Sequence, residues 1–235
     1  MRPVLGFSAD EWTAILLSLR VATVATVFAL PFAIFAAYAL ARWRTPGKLF
    51  IDSVLHLPLV MPPVVTGYLL LLTFGRQGPI GSFLYDVFGI TFSFRWTGAA
   101  LACGVMGFPL MLRAIQLSFD TIDRRLETAA GTLGASHGWT FLLITLPLAL
   151  PGIIVGIILC FARALGEFGA TITFVSNIPG ETQTIPSAIY TYTQVPGGET
   201  QALRLTFVSI VIAMAALIAS EVLSRRINKR IAVFE

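Results

Sequence analysis

Two ionisable residues four apart, Arg163 and Glu167, stand inside the apolar run "GIIVGIILCFARALGEFGATITF". At that spacing on a helix the two side chains lie next to one another on one face. A charge placed within a bilayer is costly, so it is found paired or facing a wet cavity. The chemistry open to this pair is electrostatic: a self-neutralised structural bridge, or part of the external gate of an anion pathway. A second constellation is Pro58, Pro62 and Pro63, followed by Thr66, Gly67 and, further along, Thr73. Prolines interrupt helical hydrogen bonding, and irregular backbone at membrane depth survives where protein or a water-filled cavity satisfies it. Pro62, Pro63, Thr66 and Thr73 therefore join Arg163 and Glu167 as pathway candidates, the threonine hydroxyls being able to donate to an oxyanion. A simple helix kink with no lining role is the alternative reading. Asp52 and His56 share another i,i+4 face at the start of the same run and read as interfacial, and Arg20 reads as a snorkelling side chain at the outer end of the first run.

Catalytic signatures are missing. There is no Gly-x-x-x-x-Gly-Lys-Ser/Thr loop, no His-Glu-x-x-His and no Cys-x-x-Cys. His56 and His137 are far apart, whereas a metal site needs several convergent ligands. Cys103 and Cys160 fall inside apolar runs, where a thiol packs as a small hydrophobe. No catalytic residue, metal ligand or bound cofactor is expected on this chain, so any catalysis has to come from a partner.

The elements that must hold these residues follow from composition. Of 235 residues 56% are hydrophobic and 12% charged, against about a quarter charged in soluble domains. Apolar runs long enough to cross a bilayer as helices predict five spans at about 12–41, 49–74, 97–118, 140–175 and 203–224, in one transmembrane domain covering 1–235. A barrel is excluded because the runs show no period-two alternation. The fold class predicted is an all-α integral membrane protein. Cytoplasmic flanks retain Lys and Arg. An external amino terminus places Arg42, Arg44, Lys48, Arg113, Arg124, Arg125, Arg225, Arg226, Lys229 and Arg230 inside, and only Arg2, Arg76, Arg95 and Arg204 outside. The predicted topology is N-out and C-in, which accounts for the net charge of +4 without nucleic acid. The small residues of "AAYALAR" have cleavage-like spacing, but the positive charges follow the first run instead of preceding it, which argues against a cleaved signal peptide.

Segment 119–139 is the informative connection. It leads into "LETAAGTLGASHGWTFLLITLPLALPG", residues 126–152. Asp120 can cap a helix starting at Thr121, with Asp123 in its first turn. Gly134 is a natural left-handed terminator, and Ser136 can cap a second helix carrying Trp139 and Phe141 toward Pro147. The first of these helices, 121–133, presents small residues and lacks the bulky apolar face of a membrane-surface helix. It is suited to a groove on another protein, with an amphipathic connector on lipid headgroups as the alternative. In the external segment 176–201, Pro186 predicts a short helix ended by Pro196.

This stretch resembles the EAA loop of binding-protein-dependent ABC importer permeases, whose pattern is Glu-Ala-Ala, three residues, Gly, nine residues, then Ile-x-Leu-Pro. Ala129, Ala130, Gly134, Ile144, Leu146 and Pro147 fall in register; Thr128 takes the Glu position, and Glu127 stands one residue earlier. The segments "LPLVMPPVVTG" and "FARALGEFGATITFVSNIPGETQTIPSAIYT" are similar to permease subunits of molybdate importers. The resemblance implies the type I permease fold, with five spans and a cytoplasmic coupling helix, in a bacterial inner membrane. It implies that Glu127 to Ala130, Gly134, Ile144, Leu146 and Pro147 couple to an ATPase. It also implies a second copy of the chain, two ATP-binding cassette subunits that hold the ATP and magnesium, and a periplasmic molybdate-binding protein. The chain would then be a non-catalytic subunit passing molybdate, with tungstate also accepted. Some relatives carry an additional amino-terminal span, which is not expected here. A sulfate or other oxyanion permease, and an ATP-independent secondary transporter, are the alternatives.

Overall fold

The computed structural model describes residues 6–42 and 46–231; Arg2 and Arg44 of the charge reading lie outside them. The described residues form helices and connecting turns, with no strand among them. Helix α1, Ala9–Arg42, is started by a reciprocal cap: the Ser8 amide donates to Glu11 Oε2 at 2.5 Å and the Glu11 amide to Ser8 Oγ at 3.2 Å. This is the Ser-x-x-Glu capping box, which satisfies amides that have no helical partner.

Helix α2, Lys48–Val60, and helix α3, Pro63–Phe74, are bent from one another by 111°. The cause is local. Met61 and Pro62 each precede a proline, whose ring disfavours the α region for the residue before it, and both adopt extended ψ values of 145° and 133°. After the bend, Pro63 supplies a ready-made first helical position.

The next connection holds a helix of its own, α4, Pro79–Phe88. It is followed by α5, Trp96–Thr121, at the centre of the bundle with α1 and the later helix Leu146–Leu165 against it. Beyond α5 come α6, Arg124–Thr132, and α7, His137–Thr140, which continues through a π turn, Phe141–Thr145, into α8, Leu146–Leu165. The apolar run that reads as one span to Val175 is broken at residues 166–168, and α9, Gly169–Val175, follows the break. Helix α10, Ile185–Thr193, begins with its proline in the first turn as expected, and α11, Glu199–Ile231, is the last described element. Among the described residues four helices are long and apolar enough to cross a membrane, or five when the bent pair α2 and α3 counts as one span.

Close helix approach in lipid rests on small residues, because no hydrophobic driving force separates a helix face from the acyl chains around it. Ala22, Ala25, Ala33 and Ala37 of α1 are fully or almost fully buried. A Cβ on Gly107 of α5 would stand 2.6 Å from Cys160 Sγ of α8, so the backbones meet where only glycine fits. Phe28, Phe32 and Phe35 of α1 project outward, as an apolar solvent permits. At the end opposite α6, α10 nests between α1 and α11 through Ala14, Ile15, Ile185, Ala188 and Leu205. There Ser18 Oγ accepts the Ile185 amide at 2.7 Å, and the Arg20 guanidinium lies 3.8 Å over the Trp96 ring.

Candidate functional site

Two regions gather the residues singled out from the sequence. The first is the end of the bundle where α1 stops and α6 begins. Helix α5 continues through Thr121, so Asp120 is spent in its last turn. The cap of α6 is Asp123, whose side chain accepts the Arg125 amide at 2.9 Å. The helix predicted over 121–133 is correspondingly Arg124–Thr132. It ends as the sequence predicts, with Gly134 at φ +87° and the Ala135 amide returning to the Ala130 carbonyl at 3.1 Å. Ser136 stands at the head of α7 but makes no side-chain capping bond.

The faces of α6 divide sharply. Ala130 is buried and Glu127 points inward, while Thr128, Ala129 and Gly134 are exposed and Leu133 is 89% exposed. Glu127 Oε1 accepts from Arg42 Nη2 of α1 at 2.5 Å and from Thr145 Oγ1 of the π turn at 2.9 Å. Arg124 Nη2 donates to the Ala41 carbonyl at 2.8 Å. Beneath this polar layer Tyr38, Phe119 and Phe141 form a triangle, with centroids 4.8 Å apart for Tyr38 and Phe141 and 5.5 Å for Tyr38 and Phe119. Edge-on aromatic pairs contribute about 0.5–1.5 kcal/mol each beyond burial. Ile144 and Leu146 are half-buried and Pro147 is exposed. Arg42 was not legible as a site residue, because its partner Glu127 lies 85 positions away.

The second region is where the bent pair α2 and α3 meets the break between α8 and α9. A Cβ on Gly169 at the start of α9 would stand 2.8 Å from the Pro63 Cβ at the start of α3. Glu167, with its side chain 1% exposed, bridges the break between α8 and α9. Its Oε2 is 2.6 Å from Arg163 Nη1, and its Oε1 accepts the Ala170 amide at 2.7 Å. The carboxylate therefore both neutralises the guanidinium and holds the first turn of α9. Pro62, Pro63, Thr66, Arg163 and Glu167 all belong to the segments that surround these breaks. Thr66 is buried, and its hydroxyl has no hydrogen-bond partner among the described residues. Thr73 lies two turns further along α3 and donates to the Leu69 carbonyl of its own helix at 2.8 Å. Asp52 and His56 are adjacent, with His56 Nδ1 3.5 Å from Asp52 Oδ1.

A groove of about 500 Å³ also runs along α5 and α8, lined by Leu110, Leu117, Ser118, Pro151 and Gly152, with Arg113 exposed on it and without an ionic partner among the described residues. In the sequence Arg113 stands out only as a flanking charge. Among the described residues no group of three His, Cys, Asp or Glu could hold a metal ion.

The described residues thus form a bundle of membrane-length apolar helices, with one bent helix pair packed on the α8–α9 break and a short helix held by side-chain contacts at one end. The sequence profile of the family described as "Binding-protein-dependent transport system inner membrane component" matches residues 29–232, and the chain belongs to that family. It is 62% identical over 220 residues, 94% of this chain and 96% of the relative, to the molybdenum transport system permease protein ModB of Escherichia coli (strain K12). It is 55% identical over 221 residues to the ModB of Haemophilus influenzae, again over 94% of this chain and 96% of the relative. Among solved structures, one described as a bacterial alginate ABC transporter in complex with an alginate pentasaccharide-bound periplasmic protein matches with a TM-score of 0.74 at 18% identity, over 94% of this chain and 81% of the other. An inward-facing MetNI methionine ABC transporter matches at 0.67 and 14% identity, over 93% of this chain and 94% of the other. At those identities the structures speak for the fold, which is that of ABC transporter permeases.

Proposed function

We propose that this chain is the membrane subunit of an ATP-driven importer of molybdate, and that tungstate, a near-isosteric dianion, is also carried. The observation that carries the reading is the 62% identity, across nearly the full length of both chains, to a molybdenum transport permease. Two copies around a two-fold axis would enclose a central pathway, with the paired breaks at Pro62 and Glu167 facing it. In this reading α6 lies on the cytoplasmic side, the amino terminus is periplasmic, and the exposed face of α6 with Leu133 at its tip fits a groove on an ATP-binding cassette subunit. ATP and magnesium bind that partner. A periplasmic binding protein delivers the anion, and nucleotide-driven closure of the ATPase pair draws the two permease copies from inward-open to outward-open.

The test is uptake into proteoliposomes that contain this chain, its ATPase and its binding protein. ATP-dependent molybdate uptake, competed by tungstate, is the expected result. Uptake of sulfate without molybdate would overturn the substrate. Uptake by the purified chain alone, driven by an ion gradient, would overturn the ATP-driven class.

A further inference from the structure

Helix α6 has too few means of its own to stay where it is. It is nine residues long, buries one side chain, Ala130, and carries no bulky apolar face. Isolated helices of this length do not persist in water. What fixes it is polar: Arg42 to Glu127 at 2.5 Å, Thr145 to Glu127 at 2.9 Å, and Arg124 to the Ala41 carbonyl at 2.8 Å. The Arg42 and Glu127 side chains are 17% and 20% exposed, so the pair is largely withdrawn from the solvent that makes exposed ion pairs weak. Arg42 also lies 5.7 Å over the Tyr38 ring, and Tyr38 packs on Phe119 of α5 and Phe141 of the π turn. Successive residues on a helix point about 100° apart, which is why Glu127 can face the bundle while Thr128 faces outward.

We infer that Glu127 is a positioning residue: its carboxylate, held by Arg42 and Thr145, makes α6 one rigid body with the end of α1 and the start of α8. The inference rests on the reading that an ATPase subunit docks on α6, and it assigns Glu127 to the permease side of that contact. A push on α6 is then delivered to α1 and α8 directly and to α5 through the aromatic triangle. Without the carboxylate the helix can still be gripped, but it yields before the spans move.

The test uses the assembled transporter in proteoliposomes with molybdate as the transported anion. Glu127→Gln should bind the ATPase subunit as the parent does and hydrolyse ATP, while molybdate moved per ATP falls about tenfold, within the range of allosteric couplings. Amide exchange over residues 124–132 should rise. Thr145→Val, which keeps shape and removes one donor, should show a smaller loss. The charge exchange Arg42→Glu with Glu127→Arg should recover much of the lost coupling, and it keeps the question open to measurement where Glu127→Gln folds poorly. Unchanged transport per ATP in Glu127→Gln would overturn the inference. So would a loss of ATPase binding that the charge exchange does not repair, since Glu127 would then be a docking contact. Failure of the parent chain to bind any ATPase would instead overturn the function proposed above.

Discussion

Gly67 lies against Ala170 so closely that a Cβ on the glycine would stand 2.5 Å from the Ala170 carbonyl oxygen and 2.8 Å from its Cα. The obstacle is backbone, which has no rotamer with which to retreat. Helices α3 and α9 are therefore held face to face at Gly67, one turn beyond Pro63 and beside the Ala170 amide that Glu167 caps. We expect Gly67→Ala to prise α3 from α9 and to cost about 1–3 kcal/mol, the usual range for overpacking. Thermal unfolding in detergent checks the stability, and a wild-type melting temperature would show that the two helices separate freely.

Glu167 serves two groups at once, so its loss should be worse than the loss of either contact. Glu167→Ala leaves the Arg163 guanidinium without its carboxylate and strips the Ala170 amide of its acceptor. Breaking a buried pair from one end destabilises by about 3–5 kcal/mol. Glu167→Gln keeps an acceptor for the amide and should fall between. Urea or thermal titration of the three proteins orders them, and equal stability of the alanine and glutamine variants would contradict the capping role.

Gly134 sits at φ +87° with nothing within 4 Å of where a Cβ would be. The cost of a side chain there is conformational alone. Gly134→Ala should lose about 1–2 kcal/mol, the penalty of the left-handed region, and Gly134→Asn should lose less, since asparagine tolerates that region. Both should leave the α6 contacts to Arg42 intact. Melting curves of the two variants check the order, which a packing explanation would reverse in favour of the smaller alanine.

Leu133 is 89% exposed beside the exposed small residues of α6. Under the proposed docking, Leu133→Asp should weaken association with the ATPase subunit about tenfold or more, as truncating an interface anchor does, without altering the melting temperature of the free chain. Binding measured with the purified ATPase decides it; unaltered affinity would take Leu133 out of the interface.

How much of this was readable in advance depends on whether the deciding interaction is local. The membrane-length helices follow from long apolar runs. Gly134 and the helix at Ile185–Thr193 follow from single residues with one strong preference. The bend at Met61 and Pro62 has a local cause, two residues that each precede proline, although its 111° angle depends on what α3 packs against. The break before α9 carried a local sign in Gly166 and Gly169, which flank Glu167, but long apolar stretches on both sides read as one span; the close contact of Gly169 with Pro63, more than a hundred positions away, is not visible in the sequence. The cap of α6 was misplaced by one candidate because Asp120 and Asp123 have equal propensity, and the length of α5 decides between them. Glu127 stands out in the sequence, but its inward direction is set by Arg42 and Thr145, which no local pattern connects to it.

The π turn at Phe141–Thr145 has a geometric consequence for the loop motif. Along α7 to α8 the buried positions run Thr140, Thr145, Ala149, Ile153, Gly156, Cys160 and Ala164. The first step is five residues and the later ones are three or four. One residue more than an α-helical turn holds is taken up there, and it keeps a single stripe in phase with the bundle from the loop into the span. The nine residues between Gly134 and Ile144 therefore include a phase correction. Removing one of the five π residues would shorten the first step to the four of an ordinary α-helical turn and leave Thr140 on the stripe, whereas straightening the turn to α with all five residues kept would rotate everything before it by about 100° relative to the span and carry Thr140 off.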